Sequence, residues 1–477
     1  MHAVRGYEEK NPEVVRHLTN GYPRFVVHPF AKKLAAHFLA TIPALKARTL
    51  WLTSSAPMAH ALVAHLGSAS GAELFVQDRV HGVSHPADAA TFALAKTFLQ
   101  NLGGFMASRE AEDHLVALGL IPAAHAEELF AGDAGAEIRR HLRTVLPGTS
   151  DADLVMANCG MSGINAAFRA VNALQAPRGR TVWLQLGWLY LDTIAILQKF
   201  TASPADYVYV RDVFDLEGLT RIFARHGARI AGVVAEVPTN PLIQTPDLPA
   251  IAALCRHHGA TLLVDPSMSS VFSLDVLEHA DLVVCSLTKY TASEGDLTAG
   301  LVAVNPATPD AAALRPLIAA AVEPLYRRDA SRLAWQVGRT TSVLKQIEAS
   351  TPKVVAFLEQ HPAIKDVFWA LHPASRVNYL KLARSPEACG GMITFTLKQP
   401  GALESFYDRL RLPKGPSFGM TTTLICPFMY LAHYDLVTTP AGLAELAASK
   451  LDPDLLRLCV GTEPVEEIIA ALAEALV

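Results

Sequence analysis

Between residues 34 and about 145 the apolar positions recur at helical spacing, in Ala- and Leu-rich runs broken by short turns. Two stretches within that region, 47–53 and 72–77, read as short strands. The pattern changes near Asp153. From there to residue 304, short β-branched runs alternate with amphipathic stretches. Strands are expected at 181–186, 207–210, 230–236, 261–265, 282–286 and 300–304, with helices between them, as at 162–174 and 248–257. Such alternation implies right-handed crossovers and predicts an α/β fold whose parallel sheet is covered on both faces.

A second α/β segment follows. Its long helix is expected over much of 330–361, with strands near 392–397 and 456–460 and a closing amphipathic helix at 465–476. Proline punctuation at Asn305-Pro306-Ala307-Thr308-Pro309 sets a boundary near residue 305. The expected division is an arm and extra, mostly helical segment at 1–136, a central domain at 137–305, and a smaller C-terminal α/β domain at 306–477.

Composition narrows the function classes. A chain of 477 residues is too long for one small core, and 51% apolar with 18% charged residues fits a well-buried enzyme. A formal charge of −4, with no basic run interleaved with aromatics, argues against nucleic acid or an anionic membrane as partner. No segment approaches the roughly 20 apolar residues of a membrane span. The six cysteines form no CxxC pair and sit mostly in apolar runs, as expected of buried thiols in a reducing compartment. The first ten residues are polar where a signal peptide is apolar. A cytoplasmic protein without a metal site is expected.

The chemistry concentrates at two strand ends. Ser286-Leu287-Thr288-Lys289 follows an apolar strand directly, at the carboxyl edge where ligands bind in parallel sheets. Hydroxyls at i and i+2 can donate to a phosphate, and a lysine can form an imine with an aldehyde. Asp265 ends another strand, where a carboxylate can keep a pyridine nitrogen protonated. Each residue alone also admits a plain account: a surface lysine, or an aspartate capping the next helix.

Three blocks, Glu236-Val237-Pro238-Thr239-Asn240-Pro241-Leu242, Leu263-Val264-Asp265 and Ser286-Leu287-Thr288-Lys289-Tyr290, resemble in order and spacing the Cys/Met-metabolism family of pyridoxal-phosphate enzymes. That family includes cystathionine γ-synthases, cystathionine lyases and methionine γ-lyase. The resemblance extends over roughly residues 140–477. It implies fold type I, a mainly parallel seven-stranded sheet, pyridoxal 5′-phosphate as cofactor, and a homodimer or homotetramer.

Residue roles follow from the resemblance. Lys289 is the imine-forming lysine and Asp265 the partner of the ring nitrogen. Gly160-Met161 resembles the Ser-Gly-Met turn that receives the phosphate, and a glycine turn opening a helix presents free N–H donors there. Ser286 and Thr288 are further phosphate ligands. Tyr190-Leu191-Asp192-Thr193 resembles Tyr-Gly-x-Thr, whose tyrosine stacks on the ring and helps activate the substrate amine. Asn240 matches an asparagine near the cofactor's phenolic oxygen; Asn before Pro also suits a turn.

Arg457, within Leu456-Arg457-Leu458-Cys459-Val460-Gly461-Thr462-Glu463, matches the arginine that grips the substrate α-carboxylate, a task suited to a planar guanidinium. A structural ion pair is the competing account of an arginine in an apolar strand. Ser417-Phe418-Gly419 resembles the Ser-Leu-Gly turn facing the same carboxylate. Tyr22-Pro23-Arg24 resembles a Tyr-x-Arg arm that crosses a dimer interface to a neighbour's phosphate, although it stands much farther from Gly160 than the family pattern has it.

Two departures bear on function. The segment between Arg24 and about Glu137 is extra, and Gly21-Tyr22-Pro23-Arg24-Phe25-Val26-Val27-His28-Pro29 resembles the longer fungal-type cystathionine γ-synthases. Thr422-Thr423-Leu424 replaces the Glu-Ser-Leu that follows the Ser-x-Gly turn in many members. The expected activity is γ-replacement on an O-acylhomoserine by cysteine, giving cystathionine. The alternatives are a C–S lyase acting on cystathionine or methionine, and a cofactor-free scaffold.

Overall fold

The computed structural model describes residues 1–18, 21, 22 and 24–477; Pro23 of the arm motif lies outside them. A seven-stranded sheet forms the centre. Its strands are β4 (Leu154–Ala157), β5 (Val182–Leu186), β6 (Tyr207–Val210), β7 (Ile230–Glu236), β8 (Thr261–Asp265), β9 (Leu282–Ser286) and β10 (Gly300–Val304), in the order β4-β10-β9-β8-β7-β5-β6. Every residue of β7 is buried, as an apolar run covered on both faces must be.

The expected parallel arrangement holds from β6 to β9. It fails at the edge, where β10 runs antiparallel to both β9 and β4. A parallel return needs a crossover helix. The segment between β9 and β10 has only the short turn Tyr290–Ala292, because it is given over to Lys289 and its loop. Strand β4 was not anticipated; its four residues are too few to show a period.

Residues 1–136 combine helices with three strands, the first two of them at the stretches expected from the sequence, 47–53 and 72–77. Strands β1 (Arg48–Leu52), β2 (Glu73–Gln77) and β3 (Val80–Pro86) form an antiparallel sheet in the order β1-β3-β2. Strand β3 was hidden by His81, Gly82, His85 and Pro86, which lower its β-propensity. The glycine is needed, because a Cβ at Gly82 would stand 2.3 Å from the Trp51 carbonyl oxygen. The helix His2–Glu8 packs on Pro12–Val15, and its Val4, with Met1 just before it, enters the core of the C-terminal domain.

That domain carries β11 (Ile364–Trp369), β12 (Met392–Leu397), β13 (Leu424–Pro427) and β14 (Leu456–Cys459) in an antiparallel sheet ordered β11-β12-β14-β13. The single helix expected over 330–361 is two, Arg327–Val337 and Thr340–Gln360, interrupted at Gly338 and Arg339. The apolar period runs through the break, and only the poor helix propensity of Gly338 marks it. The helix Ala311–Ala321 packs on Gly160–Gln175, so the central core extends beyond residue 305. No helix among the described residues is long and apolar enough to cross a membrane.

Candidate active site

Strands β8 and β9 are parallel neighbours, so their carboxyl ends bring Asp265 and Ser286 to one rim of the sheet, with Lys289 just beyond. A cavity of about 560 Å³ opens there. Gly160, Met161, Tyr190, Asn240, Asp265, Ser286, Lys289, Ser417 and Arg457 all line it, as do Tyr22 and Arg24. Of the expected site residues, Thr288 alone is elsewhere. Its hydroxyl donates to the Ala299 carbonyl at 3.2 Å and accepts from the Ala299 N–H at 3.0 Å, and it lines an adjoining cavity of about 930 Å³.

Lys289 Nζ donates to Ser417 Oγ at 3.2 Å and lies 4.9 Å and 4.8 Å from the ring centres of Tyr22 and Phe418. Burial, then the cations Arg457 and Arg24, lower its pKa to about 7. A large fraction is therefore free amine at neutral pH. Asp265 accepts from the Ser267 N–H at 2.8 Å, and burial raises its carboxyl to about 6. The neighbouring Glu236, opposite Asp265 in the β7–β8 register, is raised further by burial and by the Asp265 charge. Such carboxyls favour a cation beside them.

Arg457 is only 5% exposed and makes no salt bridge among the described residues. Its guanidinium donates to Asn240 Oδ1 at 3.1 Å and to the Pro416 carbonyl, and lies against the Phe418 and Phe428 rings. The structural ion pair that competes for this arginine is therefore not formed. At the opposite end, the helix Gly160–Gln175 starts against β9. A Cβ at Gly160 would stand 2.9 Å from the Ser286 Cβ, so only glycine lets the two backbones approach this closely.

Tyr22 and Arg24 line the cavity beside Lys289 and Tyr190. Arg24 donates to Asp192 at 2.7 Å, to the Gln100 carbonyl at 2.9 Å and to the Tyr190 hydroxyl at 2.5 Å. Asp192, Gln100 and Phe418 were not singled out from sequence; the signals were Leu191 in place of the glycine of Tyr-Gly-x-Thr and Phe418 in place of the leucine of Ser-Leu-Gly. At the other departure, Thr423 is held by Glu463, through N–H and Oγ donors each at 2.7 Å.

The residues fit pyridoxal phosphate. A glycine-walled helix start suits the phosphate, a buried carboxyl at the sheet rim suits a pyridinium, and a low-pKa lysine suits the aldehyde. Fold and cavity together define a fold-type I pyridoxal-phosphate enzyme. The chain belongs to the family described as "Cys/Met metabolism PLP-dependent enzyme", whose model matches residues 142–477. It is 38% identical over 475 residues to an L-2-amino-4-chloropent-4-enoate dechlorinase/desaturase from Streptantibioticus cattleyicolor, covering 100% of this chain and 94% of that protein. It is 30% identical over 330 residues to a cystathionine gamma-synthase from Neurospora crassa, covering 68% of this chain and 52% of that protein. The fold is shared with the cystathionine gamma synthase of Xanthomonas oryzae pv. oryzae complexed with aminoacrylate and cysteine. There the TM-score is 0.61 at 22% identity, over 72% of this chain and 86% of that one. The protein is a pyridoxal-phosphate-dependent enzyme of the transferase and lyase type found in this family.

Proposed function

We propose that the enzyme expels a leaving group from Cγ of an L-2-amino acid, with chloride on an unsaturated Cγ as the preferred case. The observation that carries this reading is the buried Arg457, which has no carboxylate partner, lining the same cavity as a lysine with a pKa of about 7. Those two groups suit an α-carboxylate and an α-proton. The choice of chloride rests on the Streptantibioticus relative, whose similarity spans the whole chain, including the N-terminal segment.

Bound in this cavity, pyridoxal phosphate supplies a ring that accepts the electron pair left at the substrate Cα. Arg457 and Ser417 hold the carboxylate, and Asp265 keeps its negative charge beside the ring nitrogen. Gly160 and Met161 would offer N–H groups to the phosphate, with Ser286, Tyr22 and Arg24 completing that end. Asn240 would lie at the phenolic oxygen, and Tyr190 would pack beside the ring with its hydroxyl toward the substrate amine. The Lys289 amine, once free, removes the Cα proton and moves it between carbons. The same amine would then take a proton from Cβ, and the pair left there would close a Cβ–Cγ π bond as the Cγ substituent departs with its own bonding pair.

The second reading is the replacement of an O-acyl group on homoserine by cysteine, which the Neurospora synthase favours. Incubation with 2-amino-4-chloropent-4-enoate, and separately with O-acetyl- or O-succinylhomoserine with and without cysteine, decides between them. Chloride release from the first supports the proposal. Cystathionine formed from the second, with no chloride released, overturns it in favour of the synthase, and 2-oxobutanoate unaffected by cysteine indicates a lyase.

A further inference from the structure

The extra N-terminal segment touches the cavity's chemistry through one buried carboxylate. Gln100 and Asn101, on the helix Ala89–Leu102, donate to Asp192 Oδ1 at 3.3 Å and 2.8 Å, and Lys199 Nζ fixes Asn101 Oδ1 at 2.9 Å. The other oxygen, Oδ2, accepts from Arg24 Nη1 at 2.7 Å, while Arg24 Nη2 donates to the Tyr190 hydroxyl. Asp192 is fully buried and follows Tyr190 by two residues, in the first turn of the helix Leu191–Phe200.

We propose that Asp192 is a positioning residue: tethered by the N-terminal segment, it holds the Arg24 guanidinium on the Tyr190 hydroxyl and offsets its charge beside Lys289. Resting on the assignment of Lys289 and Tyr190 to the cofactor site, it gives the extra segment a place in the reaction. A guanidinium held by one carboxylate oxygen and one backbone carbonyl has a single orientation, and that orientation sets which face of the phenol oxygen stays open. The groups facing Lys289 are Arg24, Arg457, Cys459, Ser417 and the Tyr22 and Phe418 rings. Those facing Tyr190 are Arg24, Asp192, Tyr22 and Glu236. Asp192 is thus the carboxylate that compensates Arg24, and a simple helix-capping role would not couple it to the lysine.

The test is a pH titration of the visible absorbance band of the cofactor-loaded full chain, whose proton sits on the nitrogen contributed by Lys289. In Asp192→Asn the Arg24 guanidinium loses its protein counter-ion, and the midpoint is expected to fall by roughly half a unit, about a threefold change in the deprotonated fraction. In the double variant Asp192→Asn/Arg24→Gln the cation is gone as well, and the midpoint is expected to rise above that of the unaltered protein. This variant removes both members of the ion pair, so it keeps the sign of the shift measurable should Asp192→Asn fold poorly. Midpoints that stay fixed, or that move in the same direction in both variants, overturn the proposal while the unaltered protein still titrates. Absence of a titrating band in the unaltered protein overturns the cofactor-site assignment itself, and the proposal with it.

Discussion

Arg457 Nη1 stands 3.1 Å from Asn240 Oδ1, so a buried guanidinium on β14 leans on a neutral amide from the loop after β7. The pairing leaves the positive charge uncompensated at close range and the cavity ready for a carboxylate. Arg457→Lys keeps the charge and loses the fork. We expect kcat/KM to fall by roughly 10- to 100-fold, carried mainly by KM, as steady-state kinetics will read; charged hydrogen bonds contribute about 1.5–3 kcal/mol each. An unchanged KM would place the carboxylate elsewhere.

Lys289 shapes the pH behaviour of the cofactor-free chain. Its folded-state pKa of about 7 lies below the 10.5 of an ordinary lysine, so between those values the unfolded chain binds more protons than the folded one. By linkage, this group makes stability rise with pH across that window, and its burial cost is constant below it. Urea unfolding of the cofactor-free protein is expected to show this rise, and Lys289→Met to remove it. Capture of added pyridoxal phosphate, followed by absorbance, is expected to accelerate with pH about a midpoint near 7 and to disappear in Lys289→Ala.

Gly160→Ala places a methyl against Ser286, at 2.9 Å from its Cβ and 3.2 Å from its Cα. One of the two contacts is backbone, so the helix start must move away from β9. An overpacking cost of about 1–3 kcal/mol is expected at this point, with cofactor affinity reduced by roughly 10-fold or more. Equilibrium dialysis with pyridoxal phosphate measures it, and circular dichroism should show the fold retained.

Between the N-terminal segment and the C-terminal domain, Arg109 bonds Glu127 and Asp329, each at 2.7 Å, with all three side chains largely buried. Removing the cation strands Asp329, while Glu127 keeps Arg328 at 2.6 Å. Arg109→Met is expected to cost about 3–5 kcal/mol, seen as a large drop in Tm by calorimetry. Asp329 is already raised to about 6 by burial with Arg109 in place, and losing Arg109 raises it further, so acidification toward pH 6 should narrow the gap between variant and parent as the stranded carboxyl takes up a proton.

The strand–helix alternation from 181 to 304, the strand-terminal Asp265 and Lys289, and Arg457 within an apolar strand were legible in the chain itself. Local periodicity writes such elements directly, and the resemblance ordered them along the sequence. Strand β3, whose histidines, glycine and proline mask its period, was not legible, and neither was the reversal of β10. That reversal depends on what the loop after β9 leaves room for.

Sequence alone determined which residues carry charge, amine and carboxylate, because those identities are covalent facts and their spacing places them at strand ends. Tertiary structure decided the rest. It brought Gln100 and Asn101 against Asp192, about 90 residues away, placed Arg24 in the chain's own cavity, and left Arg457 without a counter-ion. Contacts of that sequence separation are selected by the packing of whole elements, and no local pattern encodes them.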